Sequence, residues 1–174
     1  MAGYSFGIAH TRWATHGGVT KENTHPHSDS ENRLFLVHNG IVENYVELAE
    51  ELAKSGTEFY GQTDSEIVAK LIGKEAVARL RTGSPEALLE AVEATLPRLE
   101  GAYALLVMHS DFPGELIGVK YGSPLVFGRN PKTGECFFAS DVQALAGYAD
   151  QVTFLDDGDL VRVKADGSYE IRSE

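Results

Sequence analysis

Residues 102–129 read AYALLVMHSDFPGELIGVKYGSPLVFGR, and this stretch decides the fold class. It contains three short runs rich in β-branched and aromatic residues, separated by glycine, proline or aspartate, which is typical of consecutive strands. Four more runs of the same kind follow: CFFASD (136–141), VTFLDD (152–157), DLVRVK (159–164) and SYEIR (168–172). Gly118 and Gly122 indicate bulges or places where two backbones approach closely. The second half of the chain is therefore predicted to form antiparallel sheet.

Helical patterns precede these strands. Apolar side chains recur at helical spacing at Ile41, Tyr45, Leu48 and Leu52. Gly56 follows the expected end of this first helix. The sequence TDSE (63–66) matches a capping box and predicts a second helix start, and SPE (84–86), with proline after a serine N-cap, predicts a third. A short apolar run before the helices, LFLVH (34–38), predicts a buried strand.

Strands are thus expected on both sides of three helices. Residues 4–9 are expected to be extended, and residues 16–32 are expected to form a long polar loop. Strands, then helices, then many strands favour an α+β fold with antiparallel sheet over alternating βαβ units. No stretch has the composition of a linker, so the chain is predicted to be one domain, residues 1–174.

The composition excludes several classes of protein. With 43% hydrophobic and 24% charged residues among 174, the chain is predicted to fold rather than to be disordered. Its net charge of −11 repels a phosphate backbone, so we expect no nucleic-acid binding. No apolar run approaches the roughly 18–20 residues that span a bilayer, so we expect no membrane span. The absence of a signal sequence and of any possible intrachain disulfide, since Cys136 is the single cysteine, favours a cytoplasmic protein.

Histidines are concentrated near the start of the chain, where five of the six lie between His10 and His38. Long polar loops of this kind are often functional, although histidines that cap turns or pack their rings would give the same pattern. The chain has no HExxH sequence, no cysteine pair and no clear carboxylate partner, so a metal site is disfavoured. A metal-dependent hydrolase stays a minor alternative, with these candidate ligands: His10, His16, His25 and His27.

Asn39-Gly40 is ordinarily a signal for a two-residue hairpin turn. Here the residues that follow, IVENYVELAEEL (41–52), have helical spacing, which weakens that interpretation. A strand that ends in Asn-Gly before a helix can instead present the Asn39 side-chain amide and the Gly40 backbone N–H at one point. Two converging neutral donors are what a developing oxyanion needs, so both residues are candidate catalytic groups.

Arg12 and Asp64 are candidates for binding a charged ligand. The planar guanidinium of Arg12 suits bidentate recognition of a carboxylate, although a surface ion pair is the commoner role of a single arginine. Asp64 could accept a ligand ammonium, or it could simply stabilise the start of the second helix. Together the two residues could hold an α-amino acid by both charged groups, but their spacing in the sequence does not show that they meet.

Several stretches carry a family resemblance, and they occur in this order: GIAHTRWATHGG (7–18), ENTHPHSD (22–29), VHNGIVENYVELAEEL (37–52), TDSEIVAKLI (63–72), LEGAYAL (99–105), GSPLVFG (122–128) and FFASD (137–141). The chain resembles the glutaminase domains of glucosamine-6-phosphate synthases, which are glutamine–fructose-6-phosphate aminotransferases and class II glutamine amidotransferases. The resemblance extends from Gly7 to Gly158, which is nearly the whole chain.

The resemblance implies an N-terminal-nucleophile (Ntn) hydrolase fold, an αββα sandwich with antiparallel sheets that here lacks its first strands. It implies hydrolysis of glutamine to glutamate and ammonia, without a cofactor. By position, Arg12 would bind the glutamine α-carboxylate and Asp64 its α-ammonium, and Asn39 with Gly40 would form the oxyanion hole. The remaining implied site residues are Trp13, Thr15 and His16, on a loop that covers glutamine, and His25, which supports the pocket.

In such enzymes the ammonia passes to a sugar-phosphate isomerase domain of the same chain, which makes glucosamine 6-phosphate from fructose 6-phosphate. The family nucleophile is a cysteine at the mature N-terminus, whereas this chain begins with Met-Ala-Gly and has no cysteine before Cys136. Cys136 is expected to be a small buried hydrophobic residue, so we expect the chain as given not to hydrolyse glutamine. Missing strands would expose sheet edges, which favours a homo-oligomer. A non-catalytic amino-acid-binding or regulatory module stays an alternative.

Overall fold

The computed structural model describes residues 6–11, 18 and 20–173. This part of the chain forms nine β-strands, three α-helices and two short 3-10 helices. The strands are β1 (His27–Ser28), β2 (Leu34–Val42), β3 (Gly101–His109), β4 (Leu116–Tyr121), β5 (Val126–Arg129), β6 (Cys136–Ala139), β7 (Gln151–Phe154), β8 (Leu160–Val163) and β9 (Tyr169–Arg172). The helices are α1 (Tyr45–Lys54), α2 (Asp64–Arg81) and α3 (Ala87–Thr95), and the 3-10 helices are Leu96–Arg98 and Val142–Leu145.

The strands form two sheets in which every strand pair is antiparallel. The large sheet has the order β1-β2-β3-β4-β8-β9, and the small sheet has the order β6-β5-β7. All seven strand runs predicted after residue 101 are present as β3 to β9. The prediction of an α+β fold with antiparallel sheets is therefore confirmed. None of the helices described is both long and apolar enough to cross a bilayer.

The large sheet lies between the helices and the small sheet. Because side chains alternate along a strand, Leu105 on β3 packs with the helices, whereas its neighbour Ala104 packs with the small sheet. Gly118 on β4 also faces the small sheet, and a Cβ atom there would lie 2.5 Å from the ring of Phe138. The packing of the two sheets leaves no room for a side chain at Gly118, but the neighbour is the side-chain ring of Phe138 and not a second backbone, so the approach differs from the backbone approach predicted there.

The outer face of the small sheet is only partly covered by the residues described. The second 3-10 helix packs Leu145 against Gly128, where a Cβ atom would lie 2.8 Å from Leu145 Cδ1. Val152 and Phe154 on β7 lie opposite Gly128 and Val126 in the register, and hence on this outer face. They are 37% and 68% exposed, respectively. An apolar surface therefore remains beside the 3-10 helix.

The small sheet joins the large sheet through two connections that lie side by side. Residues 122–125 lead from β4 to β5, and residues 155–159 lead back from β7 to β8. The Lys120 N–H donates to the Asp159 carbonyl (3.0 Å), and the Gly158 N–H donates to the Lys120 carbonyl (2.9 Å). These bonds tie the end of β4 to the returning connection, so the chain leaves and re-enters the large sheet at one place.

Two boundaries differ from the sequence predictions. Ile41 lies in β2 and not in the first helix, because β2 pairs with β3 along all of its nine residues. Helix α3 begins at Ala87 and not directly after Ser84, because the Ser84 hydroxyl accepts the Glu86 N–H (3.2 Å) within a turn. Residues 6–9, the described part of the first predicted extended stretch, belong to no strand.

Candidate functional site

A cavity of about 530 Å³ opens where the end of β2 meets the start of α2, and we call it the β2–α2 cavity. Its walls come from both sheets, from α2 and from the two histidine-rich segments before β2. The lining residues are Ala9, His10, Thr11, His25, His38, Asn39, Gly40, Ile41, Thr63, Asp64, Ser65, Ala139, Ser140, Asp141 and Ala144. The cavity has the size of an ordinary small-molecule site, for which about 300–1,000 Å³ is typical.

Four of the site residues predicted from the sequence line this one cavity: His25, Asn39, Gly40 and Asp64. They come from three separate segments, so the fold brings together groups that sequence spacing could not connect. The other four predicted site residues, Arg12, Trp13, Thr15 and His16, lie outside the described residues. Thr11, which precedes them directly, belongs to the cavity wall.

Asp64 occupies the first position of α2 and is 6% exposed. Thr63 is the N-cap, and its hydroxyl accepts the Glu66 N–H (3.2 Å), so Asp64 does not perform that function. Its carboxylate instead accepts two backbone bonds, from the Val42 N–H to Oδ2 (2.9 Å) and from the Ser65 N–H to Oδ1 (2.9 Å). The positive end of the α2 dipole further favours the negative charge. The structure thus holds the Asp64 carboxylate in the cavity wall with lone pairs to spare.

Asn39 and Gly40 lie within β2, opposite Ala104 and Tyr103 on β3. The strand therefore continues through the Asn-Gly pair to Val42, which excludes the hairpin alternative. Both residues are half-buried. Among the residues described, no side chain or backbone group forms a hydrogen bond with the Asn39 side chain, so its amide is available to a ligand. This places a neutral donor in the same cavity as the Asp64 carboxylate.

His38 lies behind Asp64, on the face of β2 that packs against α2. It is 3% exposed, and its Nδ1 lies 2.9 Å from Ser65 Oγ and 3.8 Å from Asp64 Oδ2. Burial lowers the pKa of His38 below its ordinary value near 6.5, although the Asp64 charge acts in the opposite direction. The imidazole is therefore neutral at neutral pH, and it contributes no positive charge beside Asp64.

The remaining described histidines of this region pack against one another. The ring centroids of His10 and His25 lie 4.4 Å apart, and those of His25 and His27 lie 4.8 Å apart. His25 Nδ1 accepts the backbone N–H of His38 (3.3 Å), and His27 Nε2 lies 3.1 Å from the Thr63 hydroxyl. These contacts fix the β2 backbone and the start of α2, so His25 supports the cavity wall through its packing.

The described histidines of this cluster, His10, His25 and His27, do not form a recognisable metal centre. Within residues 6–11, 18 and 20–173, no group of three or more His, Cys, Asp or Glu side chains has the geometry to hold a metal ion. His10, His25 and His27 stack and tilt against each other instead of converging on one point. Of the four candidate ligands, His16 lies outside the described residues.

Cys136 lies on β6 and lines a different cavity, of about 260 Å³, together with Phe6 and Gly167. The residue is half-buried, so it is less enclosed than its sequence context predicted. Its Sγ lies 3.9 Å from the Gly167 carbonyl oxygen, and burial raises the pKa of the thiol above its ordinary value. The thiol is therefore protonated near neutral pH, and it does not line the β2–α2 cavity.

The cavity residues that were not predicted as site residues include three polar ones that follow Asp64 or β6 in the sequence: Ser65, Ser140 and Asp141. Ser140 and Asp141 follow β6 in the small sheet and reach the cavity only because the two sheets pack together. The FFASD stretch contributed to the family resemblance but carried no assigned role. Asp141 caps the second 3-10 helix by accepting the Gln143 N–H (2.8 Å).

Comparison with known sequences assigns the segments that line the cavity to one protein family. The glutamine amidotransferase domain family matches residues 10–147, which include every cavity residue except Ala9. The chain belongs to this family. The match also includes strands β1 to β6 and all three α-helices, so it concerns the fold as well as the site.

Curated relatives with similar sequences share one name. The glutamine–fructose-6-phosphate aminotransferase [isomerizing] of Aquifex aeolicus is 47% identical over 160 residues, which cover 92% of this chain and 25% of that protein. The protein of the same name from Methanococcus maripaludis is 42% identical over 161 residues, which cover 92% of this chain and 26% of that protein. The chain therefore spans about a quarter of the length of these relatives.

Solved structures confirm the fold class. The glutamine phosphoribosylpyrophosphate amidotransferase of B. subtilis superposes with a TM-score of 0.70 at 26% identity, over 94% of this chain and 34% of that one. A class-II glutamine aminotransferase domain protein from Silicibacter pomeroyi superposes with a TM-score of 0.56 at 21% identity, over 84% of this chain and 70% of that one, and supports the fold alone. The predicted Ntn-hydrolase-like fold with antiparallel sheets is confirmed.

Proposed function

We propose that the chain is the glutamine-binding part of a glutamine–fructose-6-phosphate aminotransferase. The observation that carries the proposal is that Asp64, Asn39 and Gly40 line one cavity. In this proposal Asp64 receives the α-ammonium of glutamine, and Asn39 with Gly40 donates to the side-chain carbonyl. Arg12 binds the α-carboxylate.

The chemistry of glutamine fits this arrangement. One end of the molecule carries an ammonium and a carboxylate, and the other end is a neutral amide whose oxygen becomes negative when the carbonyl carbon is attacked. A fixed carboxylate suits the first end, and neutral donors suit the second, because preorganised donors stabilise charge that develops in the transition state. Trp13, Thr15 and His16 complete the site as a loop over the substrate, and His25 supports the wall beneath it.

Hydrolysis of glutamine requires a nucleophile, and the proposal assigns none to these 174 residues. Cys136 is the single cysteine of the sequence, and it lines the other cavity with its thiol protonated. Thiolate, not thiol, is the reactive form. We therefore propose that this chain binds glutamine without releasing ammonia, and that amino transfer to fructose 6-phosphate takes place on a sugar-phosphate isomerase domain of a longer protein.

Calorimetry with glutamine tests the binding site. We expect the chain to bind glutamine and the Asp64→Asn variant to bind at least roughly tenfold more weakly, because a charge-assisted hydrogen bond is lost. Asp166→Asn is the matched control, since Asp166 lies in an exposed turn outside the lining of the β2–α2 cavity, where its carboxylate accepts bonds from Ser168. Undetectable binding by the unmodified chain, or equal losses in both variants, would contradict the proposal.

An ammonia-release assay tests the absence of a nucleophile. We expect no turnover above the uncatalysed rate from the 174-residue chain, with or without Cys136→Ala. Turnover that disappears in Cys136→Ala would show that this thiol is the nucleophile after all. A non-catalytic amino-acid-binding module would also bind without turnover, but the full-length gene product separates the two functions. Only an aminotransferase forms glucosamine 6-phosphate from fructose 6-phosphate and glutamine.

A further inference from the structure

We propose that Ser65 and His38 are positioning residues for Asp64. They form a hydrogen-bonded chain in which His38 Nδ1–H donates to the Ser65 hydroxyl and the Ser65 hydroxyl donates to Asp64 Oδ1. The chain holds the carboxylate in the orientation that receives the substrate's α-ammonium. This inference rests on the proposed function and adds two residues that act on substrate binding by orienting Asp64.

The distances place the Ser65 hydroxyl between the other two groups. Ser65 Oγ lies 2.9 Å from His38 Nδ1 and 3.4 Å from Asp64 Oδ1. All three residues are almost fully buried, at 3% exposure for Ser65 and His38 and 6% for Asp64. A hydroxyl has one hydrogen to donate, so the direction of the chain depends on which nitrogen of His38 carries the proton.

The Asp64 charge decides that direction. His38 Nδ1 is 3.8 Å from Asp64 Oδ2, so a hydrogen on Nδ1 is attracted to the carboxylate, whereas a lone pair there would be repelled. In the neutral ring Nε2 then carries no hydrogen. Within the described residues the buried Nε2 has no hydrogen-bond partner. A buried nitrogen without a partner costs less free energy as an acceptor without hydrogen than as an N–H donor, so this also favours the hydrogen on Nδ1. The Ser65 hydrogen is consequently free to point at Asp64.

The hydrogen-bonded chain from His38 through Ser65 completes a set of neutral donors around the Asp64 carboxylate. The Val42 N–H holds Oδ2, while the Ser65 N–H and hydroxyl both hold Oδ1, so the carboxylate plane cannot rotate without losing a bond. Among the described residues, no lysine or arginine forms an ion pair with Asp64. Neutral donors fix the orientation without cancelling the charge, and the full charge stays available for an ammonium.

Ser65→Ala tests the inference by removing the hydroxyl alone. We expect the Kd for glutamine, measured by calorimetry, to rise roughly tenfold, as for the loss of one hydrogen bond to a charged group. The affinity for 4-carbamoylbutanoate, which is glutamine without its ammonium, should not change. A purely structural role of Ser65 would weaken both ligands equally, so this comparison isolates the effect on Asp64.

Thr95→Val is the matched control. Thr95 is a fully buried helix residue whose hydroxyl donates to the Ala91 carbonyl (2.8 Å) outside the β2–α2 cavity. We expect it to lower stability as Ser65→Ala does while leaving the Kd for glutamine unchanged.

Two variants of His38 test the other end of the hydrogen-bonded chain. His38→Leu removes the donor, whereas in His38→Asn the amide nitrogen can occupy the position of Nδ1. We expect His38→Leu to weaken glutamine binding and His38→Asn to recover most of that loss. Nitrogen NMR of the unmodified chain should show His38 protonated at Nδ1. These measurements decide the question even if Ser65→Ala does not fold.

The outcomes separate this inference from the proposed function. If the unmodified chain binds glutamine and Ser65→Ala binds it equally well, the inference is overturned and the proposed function stands. A His38 ring protonated at Nε2 would also overturn the inference. If the unmodified chain binds no glutamine at all, the proposed function fails and this inference fails with it.

Discussion

At the scale of single residues, Gly40 shows how one position serves both the fold and the cavity. Its φ of +127° lies in the region that favours glycine. A Cβ atom there would also lie 2.1 Å from the Ala102 carbonyl oxygen and 2.5 Å from Ser123 Oγ. The backbone can therefore take this path beside Ala102 and Ser123 only because Gly40 has no side chain.

We predict that Gly40→Ala lowers the free energy of unfolding by about 3 kcal/mol, because backbone strain and a steric clash both contribute. Gly83→Ala is the matched control. Gly83 also has a positive φ, +77°, but no atom lies within 4 Å of its hypothetical Cβ, so only about 1 kcal/mol of strain is expected. Urea denaturation measures both values, and equal losses would contradict the role of close approach.

A second prediction at this scale concerns pH. Burial lowers the pKa of His38 and of His109 below their ordinary value near 6.5. Below that pH the unfolded chain binds protons that the folded chain does not, so the free energy of unfolding falls as the pH falls from about 7 to about 5.

His109→Asn isolates one of these contributions. The Asn side-chain oxygen can still accept the Asp111 N–H, which His109 Nδ1 now accepts (3.1 Å), but it does not titrate. We expect the variant to reduce the slope of stability against pH by up to about 1.4 kcal/mol per pH unit. Urea denaturation at several pH values measures the slope, and an unchanged slope would contradict the prediction.

At the scale of elements, the start of α2 is held by more than its cap. Glu66 is 5% exposed, and its carboxylate accepts the Tyr60 N–H (2.8 Å) and the Gly61 N–H (2.7 Å). The Lys70 ammonium lies 3.6 Å from the same carboxylate. The predicted capping box is therefore half formed, because Thr63 caps the helix while Glu66 binds the preceding loop.

We predict that Glu66→Gln lowers the free energy of unfolding by about 2 kcal/mol, because an amide has one acceptor oxygen, so one of the two part-buried N–H groups loses its partner and the ion pair with Lys70 is lost as well. Glu75→Gln on the same helix is the matched control. Glu75 pairs with Arg79 at a partly exposed position, so a loss within about 0.5 kcal/mol is expected. Urea denaturation measures both, and similar losses would mean that Glu66 does not bind the loop.

Local sequence patterns predicted most helices and strands. The features that they did not predict depend on pairing between residues far apart in the sequence. The Thr63 cap and the seven C-terminal strands depend on neighbouring residues and could be predicted. The extension of β2 through Asn39 and Gly40 depends on β3, some sixty residues later, so no local pattern indicated it. The same holds for the site, since Ser140 reaches it through the packing of two sheets.

At the scale of the whole molecule, the outer face of the small sheet exposes several apolar side chains close together. Phe154 and Tyr148 are 68% and 64% exposed, and Val152 lies beside them on β7. Exposed apolar groups in one area usually mark an interface. This surface supports the prediction that the chain associates with itself.

We predict that the sedimentation coefficient of the chain rises with concentration and that Phe154→Ser reduces this rise, because it removes the most exposed apolar ring of the face. Tyr60→Ser is the matched control, since Tyr60 is 73% exposed but lies in the loop before α2. Sedimentation velocity measures both variants. A concentration-independent monomer would contradict the prediction.

The paired connections on either side of the small sheet also bear on how such domains can be recombined. Residues 122–159 leave and re-enter the large sheet at adjacent points that are bonded to each other. A homologous segment could therefore be exchanged as a block with only two neighbouring junctions to match. Because Ala139, Ser140, Asp141 and Ala144 travel with that block, a chimera would inherit one wall of the β2–α2 cavity from each parent.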